Sequence, residues 1–229
     1  MKMLFFDSGP LISLTLNNLL WLIEPLKNKF KGSFCITKDV KTELVDTPLR
    51  IRRFEFEALQ NIHYIDSGVL EVVDSQRIDD KTKQLCELAN SCFRAKSNWM
   101  TLVHTGEVST IAACLELGAD VLVLDERTAR LLIEDPLKLR NIMQHKLHTR
   151  IDAHKENLKK FRNLTKNIKL IRSSELVSIA FELGLLDRFK PNLPDGRRTL
   201  LESVLWGVKL DGCSISTREI EQLLRIEKV

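Results

Sequence analysis

Four carboxylates stand where an acid needs a reason to be. Asp7 follows the apolar run MLFF and precedes Ser8-Gly9-Pro10; Asp125 ends the run VLVL and is followed by Glu126. Glu107 comes two residues after Thr105, and Glu43 lies inside DVKTELVD. A charge at the end of a buried strand costs free energy unless a helix N-terminus or a cation offsets it. Each acid taken singly fits a structural role. Asp7 reads as an N-cap, Glu107 as a complement to a helix dipole, and Glu43 as a solvated helix residue. Taken together they repel, and a divalent cation satisfies converging carboxylates best. Oxygen donors of this kind suit Mg²⁺ or Mn²⁺ rather than zinc, and such an ion serves phosphoryl transfer.

The elements that must position these acids are legible as a pattern. Met3 to Phe6 is a short buried strand, and Pro10 suits the first turn of a helix carrying Leu11 to Ile23. SFCIT (33–37) is a second strand, DVKTELVD a helix stopped near Pro48, and residues 50–62 another helix. VLEVV (69–73) is a strand, and Gln76 to Ala95 is helical. In HTGEVSTIAACLELGADVLVLDERTAR, Thr105 is the expected N-cap, Gly118 the C-cap, and 121–124 a strand covered on both faces. A strand at 168–171, helices at 175–184 and 198–210, and a capping box Ser216-x-x-Glu219 follow. The alternation predicts an α/β fold, three layers with a central, mostly parallel sheet. In such sheets ligands bind beyond the C-terminal strand ends, where Asp7 and Asp125 fall and where Glu43 and Glu107 can join them.

The 229 residues suffice for one well-buried core, with 44% hydrophobic and 29% charged residues. Five cysteines, an odd number with no CxxC pair, favour a reduced, cytoplasmic protein over a disulfide scaffold. Asp7 interrupts the apolar start, so no signal peptide is expected, and the apolar stretch Leu19 to Ile23 is far too short for a membrane span. Net charge is only +4, yet residues 136–172 hold eleven Lys and Arg against Asp152 and Glu156. A basic helical hairpin projecting over 136–166 is therefore expected, inserted between segments 1–135 and 167–229. Its Lys146, Arg150, Lys159 and Lys160 suit nucleic-acid phosphates, as do Arg127 and Arg130. A solvated helical face is the plainer alternative there, as is an ion pair with Glu134 for the two arginines. His145, His148 and His154 lack a fourth ligand for zinc. Trp99 is expected in the core, with base stacking as the alternative; Trp21 and Trp206 read as core.

FFDSGPLISL, ITKDVKTELV and HTGEVSTIAACLELGADVLVLDERTAR resemble the successive motifs of the PIN-domain ribonucleases, over roughly residues 3–135 and, more loosely, 168–225. The resemblance implies a PIN-like fold and Mg²⁺- or Mn²⁺-dependent endoribonuclease activity leaving a 5′-phosphate. It maps the acids onto Asp7, Glu43, Glu107 and Asp125, with Asp7, Glu107, Asp125 and Glu126 at the metal. Ser8 and Thr105 are expected to hydrogen-bond around Asp7 and Glu107. The family often has Asp-Asp where this chain has Asp125-Glu126, and compact members lack the basic insertion. The implied partners are single-stranded RNA, a second copy of the chain through the apolar side chains near Phe54 and Phe56, and an antitoxin or an RNA-processing protein. A non-catalytic RNA-binding or scaffold subunit on the same fold is the alternative.

Overall fold

Successive residues of the first apolar run point to opposite sides of a sheet: Leu4 and Phe6 enter one buried cluster, Phe5 the other. The computed structural model describes residues 2–119 and 121–227. Met1, Asp120, Lys228 and Val229, which fall within the expected segments 1–135 and 167–229, lie outside the described residues. Strand β1 (Met3–Phe6) runs into helix α1 (Ser8–Leu16), and α2 (Ile23–Phe30) returns the chain to β2 (Ser33–Thr37). Helices α3 (Lys38–Lys41) and α4 (Glu55–Asp66) lead to β3 (Glu71–Val73). Then come α5 (Gln76–Asn90), the short β4 (Phe93–Ala95) and β5 (Asn98–Trp99), α6 (Thr105–Leu117) and β6 (Val121–Val123). Helices α7 (Arg127–Glu134) and α8 (Pro136–Leu147), β7 (Ile151–Ala153), α9 (Lys155–Thr165) and β8 (Lys169–Ile171) follow. Three helices close the chain, α10 (Ser173–Glu182), α11 (Gly196–Leu210) and α12 (Thr217–Ile226).

Five strands form a parallel sheet in the order β3-β2-β1-β6-β8. The same alternation continues along it, with Phe34, Ile36 and Val123 on one side and Cys35, Leu122 and Leu124 on the other. Both faces of the central strands are covered, which is why β1 and β6 are apolar throughout, whereas the edge strands β3 and β8 carry Glu71 and Lys169. The chain is thus α/β with helices on both sides of a parallel sheet. Strand order reverses between β1 and β6, the switch point where open α/β sheets leave a crevice.

Several boundaries differ from the sequence reading. The first helix stops at Leu16, because Asn18 takes a left-handed conformation (φ 54°), which Asn tolerates better than most residues. A 3₁₀ turn, Leu20–Leu22, then redirects the chain. Pro48–Arg50 and Arg52–Phe54 are 3₁₀ turns, and the expected 50–62 helix is shifted to 55–66. Helix α5 ends at Asn90 because Phe93–Ala95 is strand. The basic segment does not project as a hairpin. Its β7 pairs antiparallel with β4 in a second sheet, β5-β4-β7, and Leu139, Ile151 and Phe161 are buried in the core cluster shared with α5 and α6.

Arg172, between β8 and α10, ties the last helix down. Its guanidinium reaches Glu175 (2.5 Å), Glu219 (2.8 Å) and the Ser214 carbonyl (2.9 Å), with its side chain 12% exposed. Glu219, also bonded to the Ser216 N–H, is held down at about 2, its Ser216 and Arg172 hydrogen bonds outweighing partial burial. Arg172→Met is expected to cost about 2–3 kcal/mol in urea unfolding at pH 7, discounted for the half-exposed partners. A lowered carboxylate stabilises above its unfolded value and stops doing so as pH falls through its folded value. The gap between wild type and variant therefore shrinks from about pH 4.5 towards pH 2.

Candidate active site

Beyond the switch point the ladder runs one residue past β1, since the Asp7 N–H donates to the Val123 carbonyl (3.0 Å). That bond fixes Asp7 beside Asp125, two residues past the end of β6. Gly9 packs against both acids: a methyl built on it would lie in ordinary contact, 3.7 Å from Asp125 Cβ and 3.8 Å from Asp7 Oδ2. A cavity of about 410 Å³ opens at this point, lined by Asp7, Ser8, Glu43, Glu107, Asp125 and Glu126 with His104 and three glycines. All four acids expected to converge do so, and Glu126 joins them.

Asp7 occupies the N-cap position of α1 with extended backbone (φ −74°, ψ 165°), yet its side chain makes no capping hydrogen bond. It is buried, and burial first, then the Glu43 and Glu107 charges, push its carboxyl up to about 8 against the Ser8 and Gly9 N–H groups. Asp125 is also buried and raised, burial outweighing the Ser173 N–H that donates to its Oδ1 (2.8 Å). The Ser173 hydroxyl and the Cys213 thiol also face this carboxylate and hold it down against burial. Burial likewise raises Glu107, although one of its oxygens accepts from the His104 N–H (2.9 Å). Glu126 caps α7, with Oε2 accepting from the Ala129 N–H (2.5 Å).

Glu43 arrives by a local irregularity. After α3 the chain winds into a π-helical turn, Thr42–Asp46, in which the Thr47 N–H reaches back to the Thr42 carbonyl (2.9 Å). Such turns are rare and concentrate at functional sites. The turn lets Glu43 accept a 2.5 Å hydrogen bond from the Ser8 hydroxyl. Ser8 thus positions Glu43 rather than Asp7. Thr105 is neither the N-cap of α6, which is His104, nor a side-chain hydrogen-bonder among the described residues; it is exposed. Gly106 lies against Glu43, and a Cβ there would collide with Glu43 Oε1.

The other expected residues fall into two groups. Arg130 pairs with Glu134 (2.9 Å), while Arg127 is exposed at the start of α7. Lys146, Arg150, Lys159 and Lys160 are exposed on α8, α9 and the connection between them, outside the acid cavity. His154 caps α9 through Nδ1 (3.3 Å), and no zinc set forms around it among the described residues. Trp99 is 42% exposed, with the Arg94 guanidinium 3.6 Å from its ring centre, contrary to the expected core position. Trp21 and Trp206 are only partly buried, against the edge of one cluster. His104, Gly212, Cys213 and Ser173, which shape or support the site, carried no signal in the sequence beyond lying next to elements that do.

Among the described residues no three acid, His or Cys side chains are close enough to form a ready-made metal cage. Mg²⁺ does not require one, being held by one or two carboxylates with water completing its octahedron. Two buried carboxylates, Asp7 and Asp125, lining one cavity with Glu43, Glu107 and Glu126 fit such an ion. No known family profile, curated protein or solved structure matches the chain.

Two outcomes are expected. Asp7 ionises near pH 4 when unfolded but only at about 8 in the fold, so the fold holds an extra proton between those values. Metal-free stability is therefore full below about pH 4 and declines as pH rises to 8. Thermal melts should show this decline in the wild type and flatten it in Asp7→Asn; Mn²⁺ should raise the wild-type melting temperature more at pH 8 than at pH 6 and leave the variant unmoved. Gly106→Ala, in the first turn of α6, should change stability by no more than about 1 kcal/mol while displacing Glu43. NMR of the Glu43 side chain against the melting temperature separates these effects.

Proposed function

We propose that this chain is a Mg²⁺- or Mn²⁺-dependent endoribonuclease with a PIN-like fold. The observation that carries the reading is Asp7: a buried strand-end carboxylate that lines one cavity with Glu43, Glu107 and Asp125. Asp7 and Asp125 would hold the cation, with Glu107 and Glu126 each offering the oxygen not used on a backbone N–H. Bound there, the cation would supply positive charge against the phosphate oxygens and acidify water. Glu43, steadied by Ser8, orients the attacking water and takes up its proton.

RNA, single-stranded so that its backbone can enter the cavity, is the substrate. The exposed Lys146, Arg150, Lys159 and Lys160 give it sequence-independent, salt-sensitive affinity. An apolar recess of about 230 Å³ beside Glu43, rimmed by Ile12, Leu16 and Phe54 and near the 70% exposed Phe56, is where a second copy or a protein antitoxin would dock. No helix among the described residues is long and apolar enough to cross a membrane, and all five cysteines are free, in keeping with a reducing cytoplasm. One observation favours the non-catalytic alternative: Glu107 and Glu126 each spend an oxygen closing a helix end.

End-labelled single-stranded RNA decides between them. Wild type should cleave with Mn²⁺ or Mg²⁺ and not with EDTA. Asp7→Asn should lose more than about 100-fold, the upper end for a residue one contact removed from a metal. RNA retained by both proteins, uncut in every metal, would leave the scaffold reading standing.

A further inference from the structure

A second polar cavity, about 570 Å³, adjoins the acidic one and has the opposite sign. Arg127 and Arg130 enter it from α7, Lys138 from the first turn of α8, and Lys209 from the last turn of α11. Glu219 is the only acid in its lining, and it is already bound to Arg172 (2.8 Å) and the Ser216 N–H (2.8 Å). Arg127 and Lys138 hold no ion pair or side-chain hydrogen bond among the described residues, and both are exposed. Arg130 gives one nitrogen to Glu134, but its Nε is buried with no partner. Lys209 donates to the Ile215 carbonyl. Four cations from three helices repel one another, and two of them, Arg127 and Lys138, make no side-chain contact that offsets this among the described residues. An anion that accepts several charged hydrogen bonds at once is what such a set recognises, and phosphate is the best match to guanidinium and ammonium donors together.

The two cavities adjoin at two places along the chain. Glu126 lines the acidic cavity and Arg127 the basic one; Gly212 lines the acidic and Cys213 the basic. Consecutive Cα atoms are about 3.8 Å apart, so the rims of the two cavities meet at these residue pairs.

We propose that the basic cavity is a phosphate subsite, seating a phosphate of the RNA strand next to the one lying in the acidic cavity. This rests on the nuclease reading for the word "next", but not for the binding of phosphate. The phosphate is either an internal diester or the terminal phosphate of an RNA end.

The test uses full-length Asp7→Asn, so that RNA is not consumed, with and without Arg127→Ala/Lys138→Ala, and Lys29→Ala/Lys83→Ala as a charge-matched control. Binding of single-stranded oligoribonucleotides carrying a 5′-phosphate or a 5′-hydroxyl is followed by fluorescence anisotropy between 50 and 200 mM KCl. The Arg127/Lys138 variant is expected to bind about tenfold more weakly at 100 mM, as loss of charged hydrogen bonds implies, with the salt slope reduced by about 0.7. The control should stay within about twofold. Equal losses on both oligonucleotides assign an internal diester; a loss confined to the 5′-phosphorylated one, with competition by inorganic phosphate, assigns a terminal phosphate. Equal weakening by the control pair, or no oligonucleotide binding and no thermal shift with inorganic phosphate, overturns the subsite. Cleavage by the chain with native Asp7 is scored separately. A phosphate-binding chain that never cuts sinks the nuclease and keeps the subsite.

Discussion

The bond from the Asp7 N–H to the Val123 carbonyl is the constraint on which the site depends. It holds the ends of β1 and β6 level where strand order reverses, so two acids that leave the sheet there must share a crevice. Both faces of these strands are buried, Phe5, Phe6 and Leu122 fully so, and neither strand can slide or turn to carry its acid to water. The sheet thereby keeps Asp7 and Asp125 in low dielectric, which is what raises both carboxyls.

The helices then set the sign of the surroundings. On the β2 side, the π-helical turn and the glycine at 106 bring Glu43 against Ser8 and add negative charge. On the other side, α7, α8 and α11 bring cations into the adjoining cavity. The acidic and basic regions are therefore not a general surface potential. Each is assembled from helix ends that the parallel sheet orders along one edge.

Much of the scaffold was readable because parallel strands covered on both faces leave continuous apolar runs, and because an acid after such a run is conspicuous. MLFF-Asp7 and VLVL-Asp125 are of this kind, and so is the Ser216–Glu219 capping box, which the structure reproduces. The unread parts depend on tertiary contacts. A π turn at 42–46 has the same composition as an α-helix, and the exchange of roles between Thr105 and His104 is a one-residue shift that propensity does not resolve. Trp99 was expected inside because tryptophan is apolar; a stacked Arg94 accounts for it outside. Strand β7, three residues in a strongly basic stretch, exists only because β4 is there to pair with it.

That pairing has a consequence for how the chain tolerates change. Phe93, Arg94 and Ala95 find partners in Ala153, Asp152 and Ile151, so the basic segment supplies the outer strand of the small sheet. Excising residues 136–166 would leave β4 with a bare row of backbone donors and acceptors and open the Phe161 and Ile151 sites of the core beneath it. An unpaired edge over an exposed apolar core is a template for self-association. The segment therefore also guards the protein against aggregation, and shortening it is a question of solubility before it is one of substrate.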